Sequence, residues 1–521
     1  MKDIQNVHFT ISNDIDYKHN TTVYINHIDK TNELSRHLKN MIKISSEYNP
    51  LLKDIQGKFK INPKQESVIT INRPNEKHKY HNIIIIGTQI SMTSSNTKEL
   101  LPEKLENYRL IGQKIIKGMT HNQLSHINIV LPKSYVCLEA LLEGMLLSSY
   151  QFNTYKTDKR LDTLGTHEKL FNLDTIHIIS QLKNNKLVLQ KIDELKNRIE
   201  SVFIAKHLIN EPPNILNPTS FIKMVKQSIL KHKLPITNDI INASQLKKMN
   251  MNLLVSVGKT SQTNTAKLLI LKYLPNKSQK IDYVLLGKGV TYDSGGLSVK
   301  SYKELHDGKF DMAGAATVVS FLIGYALNKG EKNIVVYCPL VENNIDASSS
   351  KIGDVITSYS GTTVEIDDTD AEGRLIMADC LSHIIEKYPK TNIIDVATLT
   401  GQQESISCKL FSTLLGTNNT VIANKIVDAG NIINEKVMIM PIQEVLKKKL
   451  ESNIADIKNA SEKCSADLML SAIFLKHFIK KDTNWTHLDI AGPSMVSSDD
   501  IPYIKGESSG VGVRLLLEFI K

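Results

Sequence analysis

Short apolar runs alternate with amphipathic helical stretches through the second half of the chain, and this alternation is its most constraining feature. The predicted strands are residues 283–286, 334–337, 393–396 and 487–490, and the predicted helices between them are residues 313–328, 375–388 and 468–478. Strands that are apolar on both faces and separated by helices are typical of a parallel sheet covered on both sides. The pattern therefore predicts an α/β domain with a mixed, mostly parallel sheet, and ligand sites at the carboxyl ends of its strands.

The first half of the chain shows a similar but less extensive alternation of strands and helices, with strand-like runs at residues 83–86 and 126–131. A long helical stretch at residues 187–208 then stops at the sequence Glu-Pro-Pro-Asn, residues 211–214, because proline cannot continue a helix. A chain of 521 residues is long enough for several domains. We predict a smaller N-terminal α/β domain at 1–185, a linker helix at 186–213 and a larger catalytic domain at 214–521.

Composition narrows the class of protein. The net charge of +10 permits a nucleic-acid or membrane partner, but lysine is spread along the whole chain with asparagine and isoleucine, as an AT-rich coding bias would produce. Five scattered cysteines without a Cys-x-x-Cys pair exclude a zinc ribbon and a disulfide framework and favour a reducing compartment. The N-terminus lacks a signal-peptide core, and the most apolar run, 318–326, is shorter than a membrane span. We expect a cytoplasmic protein without a membrane segment.

Three segments place acidic residues where a strand ends or a helix begins. Residues 286–296 (LGKGVTYDSGG) follow an apolar strand and lead to Lys300, while residues 309–316 (KFDMAGAA) and 368–375 (DTDAEGRL) each open a helix. Each segment alone has an ordinary structural interpretation. Asp311 could cap a helix, Asp370 and Glu372 could complement a helix dipole, and the two glycines at 295–296 could form a turn.

Taken together, the segments indicate a metal site. Loops at the ends of neighbouring strands converge, and four carboxylates at one place cannot all stay ionised without cations. Two divalent metals would neutralise the four acids, which are Asp293, Asp311, Asp370 and Glu372. Oxygen ligands without cysteine or histidine suit Zn²⁺, Mn²⁺ or Mg²⁺, and a nearby lysine could join as a neutral ligand. Such a pair of ions generates a hydroxide nucleophile and polarises a carbonyl group.

At these residues the chain resembles the leucyl (cytosol) aminopeptidase family, in particular bacterial aminopeptidase A. Three separated stretches, residues 287–300, 311–316 and 369–375, match the family motifs almost residue for residue. The resemblance covers at least residues 205–521, from the Asn-Glu-Pro-Pro-Asn sequence to residues 510–514 (GVGVR). Residues 1–190 are similar only in length and in their β/α rhythm.

The resemblance implies roles for individual residues. The tightly bound metal would be held by Lys288, Asp293, Asp311 and Glu372. The more exchangeable metal would be held by Asp293, Asp370 and Glu372, with the Asp370 carbonyl as a further ligand. Lys300 would polarise the scissile carbonyl, and Arg374 would anchor a bicarbonate ion that serves as general base. Leu399, Thr400 and Gly401, with Asp368 beside the metal ligands, would line the substrate cleft.

The resemblance also implies an activity and an assembly. A water bridging two metals, Mn²⁺ or Zn²⁺, would attack the first peptide bond of peptides with a free N-terminus. The enzyme would release N-terminal residues in intracellular peptide turnover with a leucine-type preference, as a homohexamer.

Departures from the family pattern leave alternatives open. The family usually has Asn at the position of Asp368, often Met at Gly308, Ala at Gln402 and a Gly-rich stretch at 460–466. We therefore expect a shifted preference for the first side chain with the chemistry retained. One rival is an additional architectural DNA-binding role, which the positive charge permits and which would show a steep salt dependence. The other is a non-catalytic relative, against which the complete ligand set argues.

Overall fold

The computed structural model describes most of the chain. The described residues are 4–12, 21–27, 68–73, 81–88, 101–121, 124–130, 135–157, 173–179, 185–261, 264–276, 280–416, 419–461, 464–496 and 498–521. They divide into two compact units, one of Met1–Ile199 with Pro502–Lys505 and one of Glu200–Ile501 with Gly506–Lys521.

The smaller unit is built on a six-stranded sheet in the order β1-β6-β5-β2-β4-β3. Its strands are β1 (His8–Ser12), β2 (Thr21–His27), β3 (Val68–Arg73), β4 (His81–Thr88), β5 (His126–Val130) and β6 (Thr175–Ile179). All neighbours are parallel except β3, which is antiparallel to β4. Helices α1 (Leu101–His121) and α2 (Tyr135–Ser148) belong to this unit, and a short 3₁₀ turn, Ile4–Asn6, precedes β1. The strand-like runs predicted at 83–86 and 126–131 correspond to β4 and β5.

Helix α3 (Asn185–Asn210) contains the division between the two units and ends just before the two prolines. The predicted helix at 187–208 is therefore confirmed. The domain limits at 185 and 213 remain predictions, because the boundary by compactness falls inside the helix, between residues 199 and 200.

The larger unit contains a nine-stranded sheet in the order β16-β15-β18-β14-β9-β11-β8-β7. The remaining strand, β10, pairs with the C-terminal half of β11. The strands of this sheet are β7 (Ile236–Asn242), β8 (Lys267–Tyr273), β9 (Tyr283–Gly287), β10 (Gly289–Asp293), β11 (Ile334–Asn343), β14 (Asn392–Ala397), β15 (Ser412–Leu415), β16 (Val437–Ile439) and β18 (Trp485–Asp489). A small second sheet joins β12 (Val355–Thr357), β13 (Thr363–Glu365) and β17 (Ile457–Lys458). Five of the eight pairings in the large sheet are parallel, which confirms the mixed, mostly parallel α/β architecture.

Helices connect and cover these strands. They are α4 (Pro218–Lys231), α5 (Ala243–Lys248), α6 (Asn252–Gly258), α7 (Tyr302–Asp307), α8 (Ala313–Leu327), α9 (Glu372–Lys387), α10 (Gly401–Ser407), α11 (Thr420–Ile433), α12 (Asp467–His477), α13 (Ala491–Ser494) and α14 (Val513–Phe519). Single 3₁₀ segments lie at Gly308–Phe310 and Glu444–Leu450. The three helices predicted from the sequence of this half correspond to α8, α9 and α12. Strand β18 begins two residues before its predicted start and ends at Asp489, because the buried Trp485 extends the apolar run.

Helix α8 is the most apolar helix of this unit and is buried almost all round. It lies within Tyr302–Leu327, a 26-residue segment with an 18-residue window that is apolar enough for a membrane span by composition, although 89% of that window is buried in the protein. The apolar window is thus longer than the run 318–326 identified in the sequence. A helix that is hydrophobic on every face is also typical of the core of a large domain, and burial places α8 in that position.

Two glycines allow α8 to lie directly on the ends of two central strands. A Cβ atom on Gly314 would lie 2.1 Å from the carbonyl oxygen of Val396 in β14, and one on Gly287 would lie 2.6 Å from the Cα of Ala315. The close approach is held by a backbone hydrogen bond of 2.8 Å from the Ala315 amide to the Lys288 carbonyl. This contact fixes the start of α8, and with it Asp311, against the loop that carries Lys288.

Replacing Gly314 with alanine should therefore destabilise the protein. Overpacking of this kind costs about 1–3 kcal/mol, here because the obstructing atom belongs to the backbone and cannot rotate away. Chemical unfolding monitored by circular dichroism would measure the change. Gly401→Ala is the matched control, since a Cβ atom at that position would contact nothing within 4 Å. Equal unfolding midpoints for the two variants would contradict the role given to Gly314.

Candidate metal centre

The four predicted carboxylates converge at the carboxyl ends of the central strands. Asp293 ends β10, Glu372 is the first residue of α9, Asp370 lies two residues before it, and Asp311 lies between the 3₁₀ segment Gly308–Phe310 and α8. One carboxylate oxygen from each of Asp293, Asp370 and Glu372 lies within 4.8 Å of the others. The structure therefore brings together three segments that are separated by up to about 80 residues in sequence.

Two lysines lie between the carboxylates. Lys288 Nζ is 2.7 Å from Asp311 Oδ1 and 3.0 Å from Glu372 Oε1, and it donates a 2.8 Å hydrogen bond to the Thr398 carbonyl. Lys300 Nζ is 2.8 Å from Asp293 Oδ2 and also pairs with Asp370. The Lys288 side chain is only 4% exposed, whereas that of Lys300 is 19% exposed. Each ammonium thus bridges two acids. The ammonium of Lys288 is buried, and that of Lys300 is partly exposed.

Mutual repulsion and burial shift the ionisation of these groups. Burial, with the charges of Asp293 and Glu372, raises the pKa of Asp370 to about 8 against the pull of Lys300. Burial also raises the pKa values of Asp311 and Glu372, although Lys288 lowers both. Burial alone would lower the pKa of each lysine, but the neighbouring carboxylates outweigh it and raise both. The cluster therefore needs more positive charge than its two lysines supply.

The donor set fits divalent cations. Among the residues that the structure describes, Asp311 Oδ2 and Glu372 Oε2 are buried without a hydrogen-bond partner. Buried polar atoms are nearly always paired, so these two oxygens indicate a missing positive partner. Hard oxygen donors select Mg²⁺, Mn²⁺ or Zn²⁺, and Lys288 would have to give up its proton to act as a ligand.

The ordinary structural interpretations of the three acidic segments, as a helix cap, first-turn acids and a turn, hold in part. Glu372 does lie in the first turn of α9, and Gly295 and Gly296 form a turn with φ of 83° and 63°. The residue at the cap of α8 is Met312, and no side chain caps that helix end. Helix capping therefore does not account for Asp311.

Uncharged residues that the sequence analysis missed hold the acidic ones in place. Asn343 Nδ2 donates to Asp293 Oδ1 at 2.9 Å, and Thr398 Oγ1 donates to Asp311 Oδ1 at 2.9 Å. Asn459 Oδ1 accepts the Asp368 amide at 3.2 Å, and its Nδ2 donates to the Asp368 carbonyl at 2.6 Å. The one usable signal was the position of Thr398 just after the predicted strand 393–396. Asn343 carried no such signal, because the strand predicted at 334–337 extends to Asn343 only in the structure.

Arg374 lies beside this cluster with one donor unused. Its Nη1 donates to the Asn459 carbonyl at 2.9 Å and its Nη2 pairs with Asp467 at 2.7 Å. Its Nε is buried and has no hydrogen-bond partner in the described part of the chain. Arg374 also lines the cleft.

A cleft of about 600 Å³ opens over the cluster. Ten of the eleven predicted site residues line it, and the eleventh, Glu372, lies in the carboxylate cluster. Asp489 Oδ1 accepts the Leu399 amide at 3.3 Å, and its Oδ2 accepts the Thr400 hydroxyl at 3.0 Å. The wall formed by residues 399–401 is thus fixed to the end of β18. Asp368 faces the cleft from the other side and accepts the Asp370 amide at 2.9 Å.

Two of the departures from the family pattern lie in the lining of this cleft or next to it: Gly308 is part of the lining, and Gln402 follows the lining residue Gly401. Gln402 donates to the Ser465 carbonyl and accepts the Leu468 amide at 2.9 Å, which ties the start of α10 to the segment before α12. Gly308 lines the cleft, and a Cβ atom there would lie 2.5 Å from the Asp293 carbonyl oxygen. Within the divergent stretch 460–466, residues 462 and 463 lie outside the described residues.

The α/β fold and a carboxylate-rich, lysine-bridged cluster at its strand ends define a metal-dependent hydrolase. Family models agree with this class of protein and identify the family within it. The catalytic-domain model of the cytosol aminopeptidase family matches residues 203–517, and its N-terminal-domain model matches residues 28–159. The chain belongs to the cytosol aminopeptidase family. The match confirms the resemblance found in the sequence and the interpretation of the chain as a metallo-aminopeptidase.

Relatives match over nearly the full length. The probable cytosol aminopeptidase of Rickettsia typhi is 35% identical over 489 residues, 91% of this chain and 92% of the relative. The cytosol aminopeptidase of Rickettsia prowazekii is 33% identical over 498 residues, 92% of this chain and 94% of the relative.

Solved structures share the fold. A mutant of tomato leucine aminopeptidase has a TM-score of 0.81 at 23% identity, over 99% of this chain and 96% of that one. The bottromycin maturation enzyme BotP in complex with Mn has a TM-score of 0.77 at 22% identity, over 96% of this chain and 98% of that one.

The raised carboxyl pKa values predict how pH affects the protein in the presence of a chelator. Because Asp370, Asp311 and Glu372 hold protons more tightly in the folded state than in the unfolded state, stability should fall as pH rises from about 4 towards 8. The lysines do not contribute to this trend, since both remain protonated throughout that range. Thermal unfolding at a series of pH values would measure the slope.

Asp370→Asn is the matched comparison for this slope. It removes the carboxyl with the pKa of about 8, so its unfolding temperature should fall less steeply above pH 6 than that of the unaltered protein. Added Mn²⁺ should flatten the slope of the unaltered protein. Parallel curves for the two proteins in chelator would refute the proposed repulsion.

Proposed function

We propose that this protein is a two-metal aminopeptidase that releases residues from the unblocked N-terminus of peptides, as the conserved chemistry of its family requires. The observation that carries the proposal is the cluster of four carboxylates with two buried, unpartnered oxygens at the base of a cleft. The type of reaction is inferred from family membership, and the residues that carry it out are inferred from the cluster.

The metal ligands of the proposal are the predicted ones. Lys288, Asp293, Asp311 and Glu372 would hold the tighter ion, and Asp293, Asp370 and Glu372, with the Asp370 carbonyl, the more exchangeable one. The division is supported by the grouping of Asp293, Asp370 and Glu372 and by the contacts of Lys288 with Asp311 and Glu372. Bound Mn²⁺ or Zn²⁺ would lower the pKa of water and act as a Lewis acid on a peptide carbonyl.

Lys300 is the residue proposed to stabilise negative charge on the substrate. Its raised pKa keeps the ammonium protonated at neutral pH, and its side chain reaches the cleft. A fixed positive group beside a developing oxyanion contributes a large share of catalysis in acyl-transfer enzymes. Asp293 and Asp370 hold the ammonium in position.

Arg374 is proposed to hold bicarbonate, which would supply a general base when bound. The free Nε–H donor supports this assignment, and the two other contacts of the guanidinium fix its plane. These contacts run to Asn459 and Asp467, so the orientation of Arg374 does not depend on substrate.

The free N-terminus of the substrate fits the acidic site, because its amine can serve as a metal ligand and is attracted by the carboxylates. Leu399, Thr400, Gly401 and Asp368 are proposed to contact the substrate from the two walls of the cleft. The altered contacts at Gln402 and Gly308 support a leucine-type preference that is shifted from that of the family.

A cytoplasmic location and a homohexameric assembly are part of the proposal and rest on family membership alone. The rival functions are not favoured. The catalytic-domain model matches the chain from residue 203 to 517, and the predicted ligand set is complete at one place, which argues against a non-catalytic relative. The net charge of +10 remains the sole feature behind a DNA-binding role.

Asp293→Ala should abolish turnover of an unblocked leucyl substrate. Asp293 is shared by both proposed metal positions, and loss of even an outer-sphere partner of a metal ligand costs about 10–100-fold in activity, so loss of a ligand should exceed that range. Chelation of the unaltered enzyme should have the same effect, and Mn²⁺ or Zn²⁺ should restore activity. Asp239→Ala is the control, because Asp239 is exposed and pairs with Lys272 on the far edge strands. Full turnover by Asp293→Ala or by the chelated enzyme would disprove the mechanism.

The shifted preference can be measured with a panel of leucyl, methionyl, lysyl and arginyl substrates. Gln402→Ala removes the two hydrogen bonds that tie the segment after the lining residue Gly401 to residues 465–468. The ratio of kcat/KM for leucyl and lysyl substrates should therefore change by about 10-fold, the scale of a small change in a side-chain pocket. Gln443→Ala, on an exposed residue outside the cleft lining, serves as control. If the unaltered enzyme shows the substrate ratios of the Rickettsia relatives, the preference is not shifted.

A further inference from the structure

Asn343 lies between the two loops that carry the ligands of the exchangeable metal position. It is the last residue of β11 and the parallel neighbour of Asp293 at the end of β10. Its own carbonyl accepts the Ser294 amide at 2.9 Å and the Ser294 hydroxyl at 2.7 Å. These backbone contacts place the residue independently of its side chain.

The side-chain amide of Asn343 makes one hydrogen bond to each loop. Its Nδ2 donates to Asp293 Oδ1 at 2.9 Å and to the Thr369 carbonyl at 3.1 Å. Both partners are acceptors, so the amide nitrogen, and not its oxygen, must face them. The residue is buried, with 4% of its surface exposed, so water does not compete for these bonds.

We propose that Asn343 is a positioning residue for the exchangeable metal ion, an inference that rests on the proposed two-metal function. One NH₂ group fixes the distance between Asp293 and the 368–372 loop, which supplies Asp370 and Glu372. It also leaves Asp293 Oδ2 and the Asp370 carboxylate to face the ion. Aspartate would offer no donor at this position and would add negative charge, and leucine has the size but no donor.

The tighter metal position has a separate support. Thr398 holds Asp311 through its hydroxyl and Lys288 through its carbonyl, and neither of these residues contacts Asn343 by hydrogen bond. Asp293 is a proposed ligand of both ions, but the second partner of the amide, Thr369, immediately precedes Asp370, which serves the exchangeable position alone. Loss of the Asn343 amide should therefore weaken the exchangeable position more than the tighter one. A general loss of structure would weaken both equally.

The loops should remain joined when the amide is removed. Thr369 Oγ1 donates to the Gly295 carbonyl at 2.7 Å and accepts the Ser298 amide at 2.8 Å. Asp293 Oδ1 also accepts a hydrogen bond from the Gly295 amide at 2.9 Å, which does not involve Asn343. These bonds maintain the local fold, while the fine spacing of the carboxylates depends on Asn343.

The test compares Asn343→Leu and Asn343→Ser with the unaltered full-length protein and with Asn344→Leu. Asn344 is the adjacent residue, and its amide donates to Glu342 instead of reaching the cluster. Mn²⁺ titration of chelator-treated protein, followed by electron paramagnetic resonance, measures both affinities without using activity. The expected result is a loss of about 10–100-fold in affinity at the weaker position for Asn343→Leu and a smaller loss there for Asn343→Ser. The tighter position should weaken less than the weaker one in both variants, and Asn344→Leu should change neither position.

Each other outcome overturns the proposal in a recognisable way. Unchanged affinity at both positions in the Asn343 variants would show that the amide does not position the ion. Equal weakening of both positions, with a lower unfolding temperature in chelator, would assign Asn343 a structural role only. If Asn343→Leu does not fold, Asn343→Ser decides by the same criteria. Failure of the unaltered protein to bind two Mn²⁺ ions would instead refute the proposed function itself.

Discussion

The repulsion among four carboxylates at the base of one cleft is the constraint on which this site depends. Asp293, Asp311, Asp370 and Glu372 carry four negative charges if ionised, and Lys288 and Lys300 return only two. Asp311 Oδ2 and Glu372 Oε2 stay buried without hydrogen-bond partners among the described residues, and burial together with the neighbouring acids raises the pKa values of Asp311, Asp370 and Glu372. The domain must therefore be stable enough elsewhere to tolerate this arrangement, which is the usual relation between a stable scaffold and a strained functional site.

The scaffold tolerates it because three of the four acids are attached to rigid elements. Asp293 ends β10, which pairs with β11, Glu372 begins α9, and Asp311 is fixed by the close contact of α8 with two strand ends at Gly314 and Gly287. These elements are buried in an apolar core that includes Leu286 and Val290. Moving Asp293, Asp311 or Glu372 away from the others would require movement of a whole strand or helix, while Asp370 is held in its loop by the hydrogen bond from its amide to Asp368.

The sequence was sufficient to predict the architecture and the acids, but not the residues that orient them. Apolar runs such as 283–286 and 393–396 made a parallel sheet predictable, and strand-end placement made convergence of the acids predictable. Asn343, Thr398 and Asn459 could not be recognised as partners, since a neutral side chain carries no charge pattern and its contact lies 26 to 91 residues away. The antiparallel edge formed by β7 and β8 also lacks a distinctive pattern, because pairing direction there depends on connections rather than on composition.

The unequal burial of the two lysines fits the two different roles proposed for them. Lys288, at 4% exposure, is the more buried and lies between two acids, so a cation bound to those acids would leave its ammonium without a counter-charge and would favour loss of the proton. Lys300, at 19% exposure, keeps contact with the cleft and can stay charged beside the same cation. Burial would therefore separate the proposed neutral ligand from the charged group proposed to face substrate. Loss of a proton from Lys288 on metal binding would make metal affinity depend on pH even though the other proposed ligands are carboxylates.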